Sequence, residues 1–142
     1  MKKTILKWII SSICISMLLV VIGGIKIYND FFPMAEPVNF PSNDEIIAID
    51  IKKDTINLKY TDPEILKMII EQLSKAKETR LLTVHDRPTV RDYYTVDIIT
   101  KDNDMTYTSF IYQENSKWYL EQPYTGIYEI SGDVSYLFKK DT

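Results

Sequence analysis

Apolar positions fall into three regimes along the chain: one long run without charge, one stretch recurring every three or four residues, and several short stretches alternating at period two. The long run comes first. From Trp8 to Ile25 the sequence WIISSICISMLLVVIGGI carries no charge over 18 residues, close to the ~20 that a helix needs to cross a hydrocarbon core of ~30 Å. Lys2, Lys3 and Lys7 precede it, and only Lys26 follows before Asp30 and Glu36. The positive-inside bias therefore places the N-terminus in the cytoplasm and the remainder outside. A cleaved secretory signal is the rival reading, but its apolar core normally spans only ~7 to 15 residues and ends at a small-x-small site; no convincing triplet stands near Gly23 and Gly24. Both readings export the rest of the chain.

The period-two stretches predict strands. In EIIAIDI (residues 45–51) Ile47, Ile49 and Ile51 alternate with Ala48 and Asp50, and TINLKY (55–60) continues the alternation after a turn, so the two form a hairpin. RLLTV (80–84), YYTVDIIT (93–100), MTYTSFIY (105–112) and KWYLEQ (117–122) follow, the last three separated by the polar loops KDND and QENS in the manner of an antiparallel meander. Tyr94, Val96 and Ile98 share one face; Tyr93, Thr95, Asp97 and Ile99 share the other. IYEI (127–130) adds a short strand.

The three-four regime lies between the hairpin and the meander. In TDPEILKMIIEQLSKAKE, Thr61 or Asp62 caps a helix, Pro63 suits its first turn, and Leu66, Ile69, Leu73 and Ala76 form an apolar stripe widened by Ile65 and Ile70. Glu71 and Lys75 stand four apart on the other side. A short C-terminal helix over SGDVSYLFKK, capped by Ser131 and anchored by Leu137 and Phe138, closes the chain. The fold expected is α+β: an antiparallel sheet of five to six strands packed by one main helix and a short C-terminal helix, preceded by a transmembrane helix. The segments are a cytoplasmic basic tip (1–7), an anchor or uncleaved signal (8–26), a Pro-containing linker (27–43) and an extracytoplasmic domain (44–142). Tyr28, Phe31 and Phe32 sit where an interfacial aromatic belt belongs, or pack on the domain.

Charge narrows the partners. Of 142 residues, 17 are basic and 20 acidic, and all 20 acids lie beyond Lys26 with 13 of the bases, a net of −7. Such a domain has no basic cluster with which to release counterions from phosphates, which argues against nucleic acid. The single cysteine, Cys14, lies inside the apolar run, so the outer domain has no disulfide or thiol nucleophile. Lipoprotein processing at Cys14 is disfavoured by the preceding Ser11, Ser12 and Ile13.

Candidate chemistry is sparse. His85 is the only histidine, and Asp86 and Asp92 are the carboxylates near enough in sequence to orient it for acid–base work, but adjacent strand residues point to opposite faces and no serine lies in a Gly-x-Ser-x-Gly elbow. Asp86, Arg87, Arg91 and Asp92 bracket Pro88; an arginine pair grips carboxylate or phosphate through forked hydrogen bonds, whereas a solvated loop laced with weak ion pairs is the ordinary reading. Asp102, Asn103 and Asp104 lack the spacing of a calcium loop, with Tyr107 and Gln113 where glycine and glutamate belong. No catalytic, cofactor or metal site is expected. Ten tyrosines and Trp118 build sheet faces or a recognition surface, for which Arg87, Arg91, Tyr93, Tyr119 and Tyr124 are the candidates.

The strings WYLEQPYTGIYEI (118–130) and PVNFPSNDEI (37–46) resemble a family of small extracytoplasmic domains of Gram-positive bacteria, the domain of unknown function 5301, over about residues 37–140. The resemblance implies an N-terminal membrane segment, one outer domain, and a sensory or protective binding role, with no catalytic residues to carry over. The expectation is a non-enzymatic, membrane-anchored module that meets a protein or peptide outside the membrane, either to sense an envelope-active molecule or to confer immunity against it. A small envelope hydrolase using His85 and a structural subunit of a membrane complex are the alternatives.

Overall fold

The structure, a computed structural model, describes residues 2–81, 83, 85–102 and 106–138, with side chains from Lys7 onward. The chain divides into two units, Met1–Met34 and Ala35–Thr142.

The first unit is one helix, α1 (Lys2–Phe31), 30 residues long. It runs past both ends of the charge-free segment because nothing in the flanks breaks it before Pro33; the Phe32 amide still donates to the Tyr28 carbonyl at 2.9 Å. Trp8 and Tyr28 are separated by ~30 Å along the axis at ~1.5 Å per residue, the thickness of a hydrocarbon core. Its apolar side chains face outward, Trp8 and Val20 each 74% exposed. Residues Lys7–Phe31 are long and apolar enough to cross a membrane, a property shared with signal sequences.

The second unit is a seven-stranded antiparallel sheet: β1 (Ile46–Lys53), β2 (Ile56–Tyr60), β3 (Lys77–Glu78), β4 (Tyr94–Thr100), β5 (Thr106–Glu114), β6 (Lys117–Gln122) and β7 (Gly126–Ile130), ordered β2-β1-β4-β5-β6-β7-β3. One helix, α2 (Pro63–Leu73), leaves β2 at one edge and returns the chain to β3 at the other. The α+β architecture expected from the alternation is the one observed. Asp62 caps α2 by accepting from the Glu64 and Ile65 amides at 2.9 and 3.2 Å, with Pro63 in the first turn. The stripe Leu66, Ile69, Ile70, Leu73 and Ala76 is buried against Ile49, Ile51, Val96, Ile98, Ile111, Leu120, Tyr128 and Ile130. A 3₁₀ turn, Ser135–Phe138, closes this core, with the Phe138 ring stacked on Tyr94 at 3.7 Å and Tyr60 donating to the Leu137 carbonyl at 3.0 Å.

Several local expectations shift. A register slip between Ile46 and Ala48 turns Ile46 inward and leaves Ile47 41% exposed, which simple alternation does not foresee. Because α2 ends at Leu73, Lys75 leaves helical geometry and Glu71 meets Lys67 instead, at 3.8 Å. The strand expected at 80–84 is not formed at Arg80, Leu81 or Thr83; Leu82 and Val84 lie outside the described residues, and the strand that pairs with β7 is Lys77–Glu78. The β5–β6 hairpin turns through Asn115 and Ser116, both at positive φ (49° and 64°), the twist-matched geometry for two-residue hairpins.

The stretch read as a linker is divided. Residues 27–31 belong to α1, whereas Ala35, Val38 and Phe40 pack on the domain core. The Ala35 amide donates to the Thr79 carbonyl at 2.9 Å, and Asn39 exchanges two hydrogen bonds with the Gln122 side chain, at 3.3 and 2.9 Å.

Candidate functional site

Among the described residues of the second unit no helix covers the face of the sheet opposite α2, yet Phe110, Tyr112, Glu121 and Ile127 on that face are buried. Their cover is the long connector from β3 to β4. It starts beside β7, where Thr79 donates its hydroxyl to the Ile127 carbonyl at 2.6 Å. It is then tacked to β6 by Thr83, whose hydroxyl donates to Glu121 Oε1 at 2.7 Å, and to the β6–β7 turn by Tyr124, whose hydroxyl donates to Asp86 Oδ1 at 2.6 Å. It ends where Lys53 of β1 pairs with Asp92 at 2.5 Å. Crossing the sheet rather than joining it, the connector leaves a trough between itself and β4–β5.

The larger lobe of this trough, about 570 Å³, has Asp86 and Arg87 on the connector side, Tyr93 just before β4, Thr95, Thr108 and Phe110 on the strands, and Pro123 at the far end. A smaller lobe of about 340 Å³ is bounded by Lys52, Lys53 and Asp54 on one side and Arg91 and Asp92 on the other. The lobes meet: Tyr93 and Thr95 line both. Tyr93 and Phe110 pack edge to face with centroids 5.3 Å apart, which fixes the aromatic floor.

The charges of the trough are closely balanced: Asp86 stands with Arg87 in the larger lobe, and Asp54 and Asp92 stand with Lys53 and Arg91 in the smaller, where Lys52 is paired with Asp97. Asp86 is held by Tyr124, whose phenol is raised above its ordinary value by the hydrogen bond to Asp86 and then by burial and the carboxylate charge. Asp92 is held by Lys53, whose ammonium is raised by that hydrogen bond and also sits 4.5 Å from the Tyr94 ring centroid. Each acid therefore has a partner other than the arginine beside it in sequence. Among the described residues Arg87 and Arg91, both exposed, have no ion-pair or hydrogen-bond partner. Below the trough, Tyr112 is pushed up by burial, then by the charge and hydrogen bond of Glu121, and stacks on Tyr119 at 5.7 Å.

Of the candidate recognition residues, Arg87, Arg91 and Tyr93 line the trough, and Tyr124 latches its connector. Tyr119 lies on the same sheet face, engaged with Tyr112. Tyr124 holds φ 60° at the third position of a turn closed by the Thr125 amide on the Gln122 carbonyl at 3.0 Å, an unusual backbone for an aromatic residue that is 68% exposed. His85 is exposed on the connector, and its two candidate orienting carboxylates, Asp86 and Asp92, are turned to Tyr124 and Lys53. Of the acidic loop at 102–104, Asn103 and Asp104 lie outside the described residues; among those described, no three His, Cys, Asp or Glu side chains converge. Sequence reasoning missed Thr108 and Phe110. They share a face with Tyr93 and Thr95 only once the β4–β5 register, Thr95 opposite Phe110 and Asp97 opposite Thr108, is known.

Comparison with known proteins adds a family and a fold. The profile of DUF5301, described as a domain of unknown function (DUF5300), matches residues 34–129. An NMR structure of a protein from Ruminococcus gnavus is similar at 30% identity and a TM-score of 0.62, over 70% of this chain and 97% of that one. No curated protein matches.

Proposed function

This chain belongs to the DUF5301 family, a domain of unknown function, and from that premise we propose that it is a membrane-held, extracytoplasmic binding module for a protein or peptide rather than an enzyme. The observation that carries this reading is the trough: an open, aromatic-floored groove walled by a connector that is fixed at four points, so that the surface is built before any partner arrives. Surfaces that combine exposed tyrosine with arginine are typical of protein recognition, and a pre-formed groove spares the ordering cost that a loose loop would incur. The lysine asymmetry around α1 supports a single pass with the N-terminus in the cytoplasm. A domain so placed meets molecules of the envelope, and sensing an envelope-active peptide, or blocking one, are the two roles that fit.

The test is site-directed photo-crosslinking of the full-length chain in intact cells, with a photoreactive phenylalanine analogue at Tyr93 and, as control, at Met68 on the solvent side of α2. A discrete adduct from position 93 and not from 68 supports the proposal. Identical, featureless patterns from both positions overturn it.

A further inference from the structure

We propose that β2 is a docking edge for a second copy of this chain: two β2 strands pair antiparallel about a two-fold axis at Leu58 and join the two sheets into one. This goes beyond the binding-module reading and makes no use of the trough.

The two edges of the sheet end differently. At one edge β3 is only two residues long, and beyond it the Ala35 amide donates to the Thr79 carbonyl at 2.9 Å, so that the chain entering the domain lies over the end of β7. Short strands and covering segments are the usual protection of an edge. At the other edge β2 runs from Ile56 to Tyr60 with no proline and no slip in its register.

The β1–β2 register fixes which backbone groups face outward. Lys53 and Ile56 are partners across a two-residue turn, and a pair closing so short a loop exchanges both of its hydrogen bonds. Alternation then makes Leu58–Ile51 and Tyr60–Ile49 hydrogen-bonded pairs and points the N–H and C=O groups of Asn57 and Lys59 away from β1. Among the described residues these outward groups have no partner.

Backbone groups alone would accept any strand; the side chains single out a second copy. A two-fold axis normal to the sheet keeps the same face of both copies uppermost, so only residues of like parity stand opposite each other. With the axis at Leu58, Asn57 faces Lys59 twice, and all the outward groups of both strands are used. Ile56 meets Tyr60 and Leu58 meets itself, which prolongs the row of part-buried apolar side chains across the junction. Moving the axis to Lys59 sets two lysines face to face, and moving it to Asn57 sets Lys59 against Thr55 in the hairpin turn. Beyond these five residues the chain leaves the edge at both ends: Asp54 lies in the turn at φ 48°, and Asp62 is turned into α2 as its cap.

Five residues a side make a small contact, weak between free molecules. With α1 in a bilayer, on the anchor reading above, copies share one orientation and a raised effective concentration, which suits a contact of this size. The axis leaves both troughs on one face of the joined sheet and both α2 helices on the other.

The experiment uses full-length single-cysteine chains in a Cys14→Ser background, reconstituted in phosphatidylcholine vesicles and oxidised with copper phenanthroline. Leu58→Cys, on the axis in a closely spaced pair, is expected to give a disulfide dimer. Asn57→Cys and Lys59→Cys each lie ~7–8 Å from their own copy, beyond disulfide reach, and are expected to dimerise only when reconstituted together. Glu78→Cys, exposed on the opposite edge, reports random collision. Asn57→Pro removes only an outward N–H and, combined with Leu58→Cys, is expected to lose the dimer while keeping the melting temperature of Leu58→Cys. A Leu58→Cys dimer no stronger than that of Glu78→Cys overturns the proposal, as does one that survives Asn57→Pro. Should Asn57→Pro lower the melting temperature, the cysteine series decides: as much dimer from Asn57→Cys alone as from its mixture with Lys59→Cys overturns the pairing, and dimer from the mixture only upholds it.

Discussion

The Tyr124 hydroxyl donates to Asp86 across 2.6 Å and so joins the tip of the β6–β7 turn to the connector that walls the trough. The partners lie 38 positions apart in sequence, and Tyr124 holds a left-handed backbone, φ 60°, to make the contact. Because Tyr124 is largely exposed, the bond contributes little to global stability, and its effect is local. In Tyr124→Phe, amide exchange over residues 85–92 should quicken while exchange in β4–β6 stays as it was. Unchanged protection of the connector would show that Pro88, which is buried, and the Lys53–Asp92 pair hold it without the tyrosine.

Gly126 is the point where the chain entering the domain crosses β7. A Cβ placed there would lie 2.4 Å from the Ala35 Cβ and 3.1 Å from the Tyr128 hydroxyl. Ala35 has no flexible end to withdraw, and its amide is fixed to Thr79. Gly126→Ala therefore forces residues 35–40 away from the sheet and should destabilise the domain by about 1–3 kcal/mol, the usual range for overpacking. Urea unfolding measures this; a midpoint equal to that of the parent would mean that the 35–40 segment contributes nothing to the fold.

The parity of apolar positions made much of this fold legible. Val96 and Ile98 are core residues and Tyr93 and Thr95 face the trough, as their alternation indicates, and α2 follows from its cap, its proline and its stripe. The strand order and the connector were not legible. Arg80, Leu81 and Thr83 read as strand by composition, but the pairing edge of β7 is taken by Lys77 and Glu78, and this segment crosses a sheet face instead. The candidate site was legible in part. Arg87, Arg91, Tyr93 and Tyr124 announce themselves by residue type, whereas Thr108 and Phe110 depend on a register that only tertiary pairing sets. Which carboxylate partners which cation is likewise tertiary: Asp92 finds Lys53 from β1, not a neighbour in its own loop.

Two buried tyrosines should govern stability at high pH. Tyr128 is fully buried, its hydroxyl has no hydrogen-bond partner among the described residues, and it is raised above its ordinary value of 10.0 by burial and by the charges of Glu78 and Glu36. Tyr112 is raised by burial and by Glu121. For groups raised in the folded state, the unfolded chain releases its protons first. The stability they contribute is therefore fully present below about pH 10 and is lost as pH climbs through the folded values. The two differ in what substitution does. Tyr128→Phe removes an unsatisfied hydroxyl and should stabilise the domain by about 1 kcal/mol at neutral pH while flattening the alkaline decline. Tyr112→Phe takes a donor from Glu121 and should destabilise. Thermal melts of both variants at pH 7 and pH 10.5 decide this; loss of stability in Tyr128→Phe at neutral pH would mean that the hydroxyl has a partner after all, a buried water being the natural one.

The proposed placement of the trough outside the membrane rests on α1, and its single cysteine makes the topology measurable. Cys14 lies in the apolar run, between aromatic residues separated by the thickness of a hydrocarbon core, so in intact cells a membrane-impermeant maleimide should leave it unmodified. In a Cys14→Ser background, Asn43→Cys should be labelled from outside, and Thr4→Cys only after the membrane is opened. The three flanking lysines make this direction the favoured one, since moving them outward would oppose the positive-inside bias. The intact mass of the mature protein separates anchor from signal: retention of residues 1–26 means that α1 holds the domain in the membrane, and their loss means a cleaved signal and a released domain. Labelling of Thr4→Cys from outside would reverse the topology, and the trough would then face cytoplasmic rather than envelope partners.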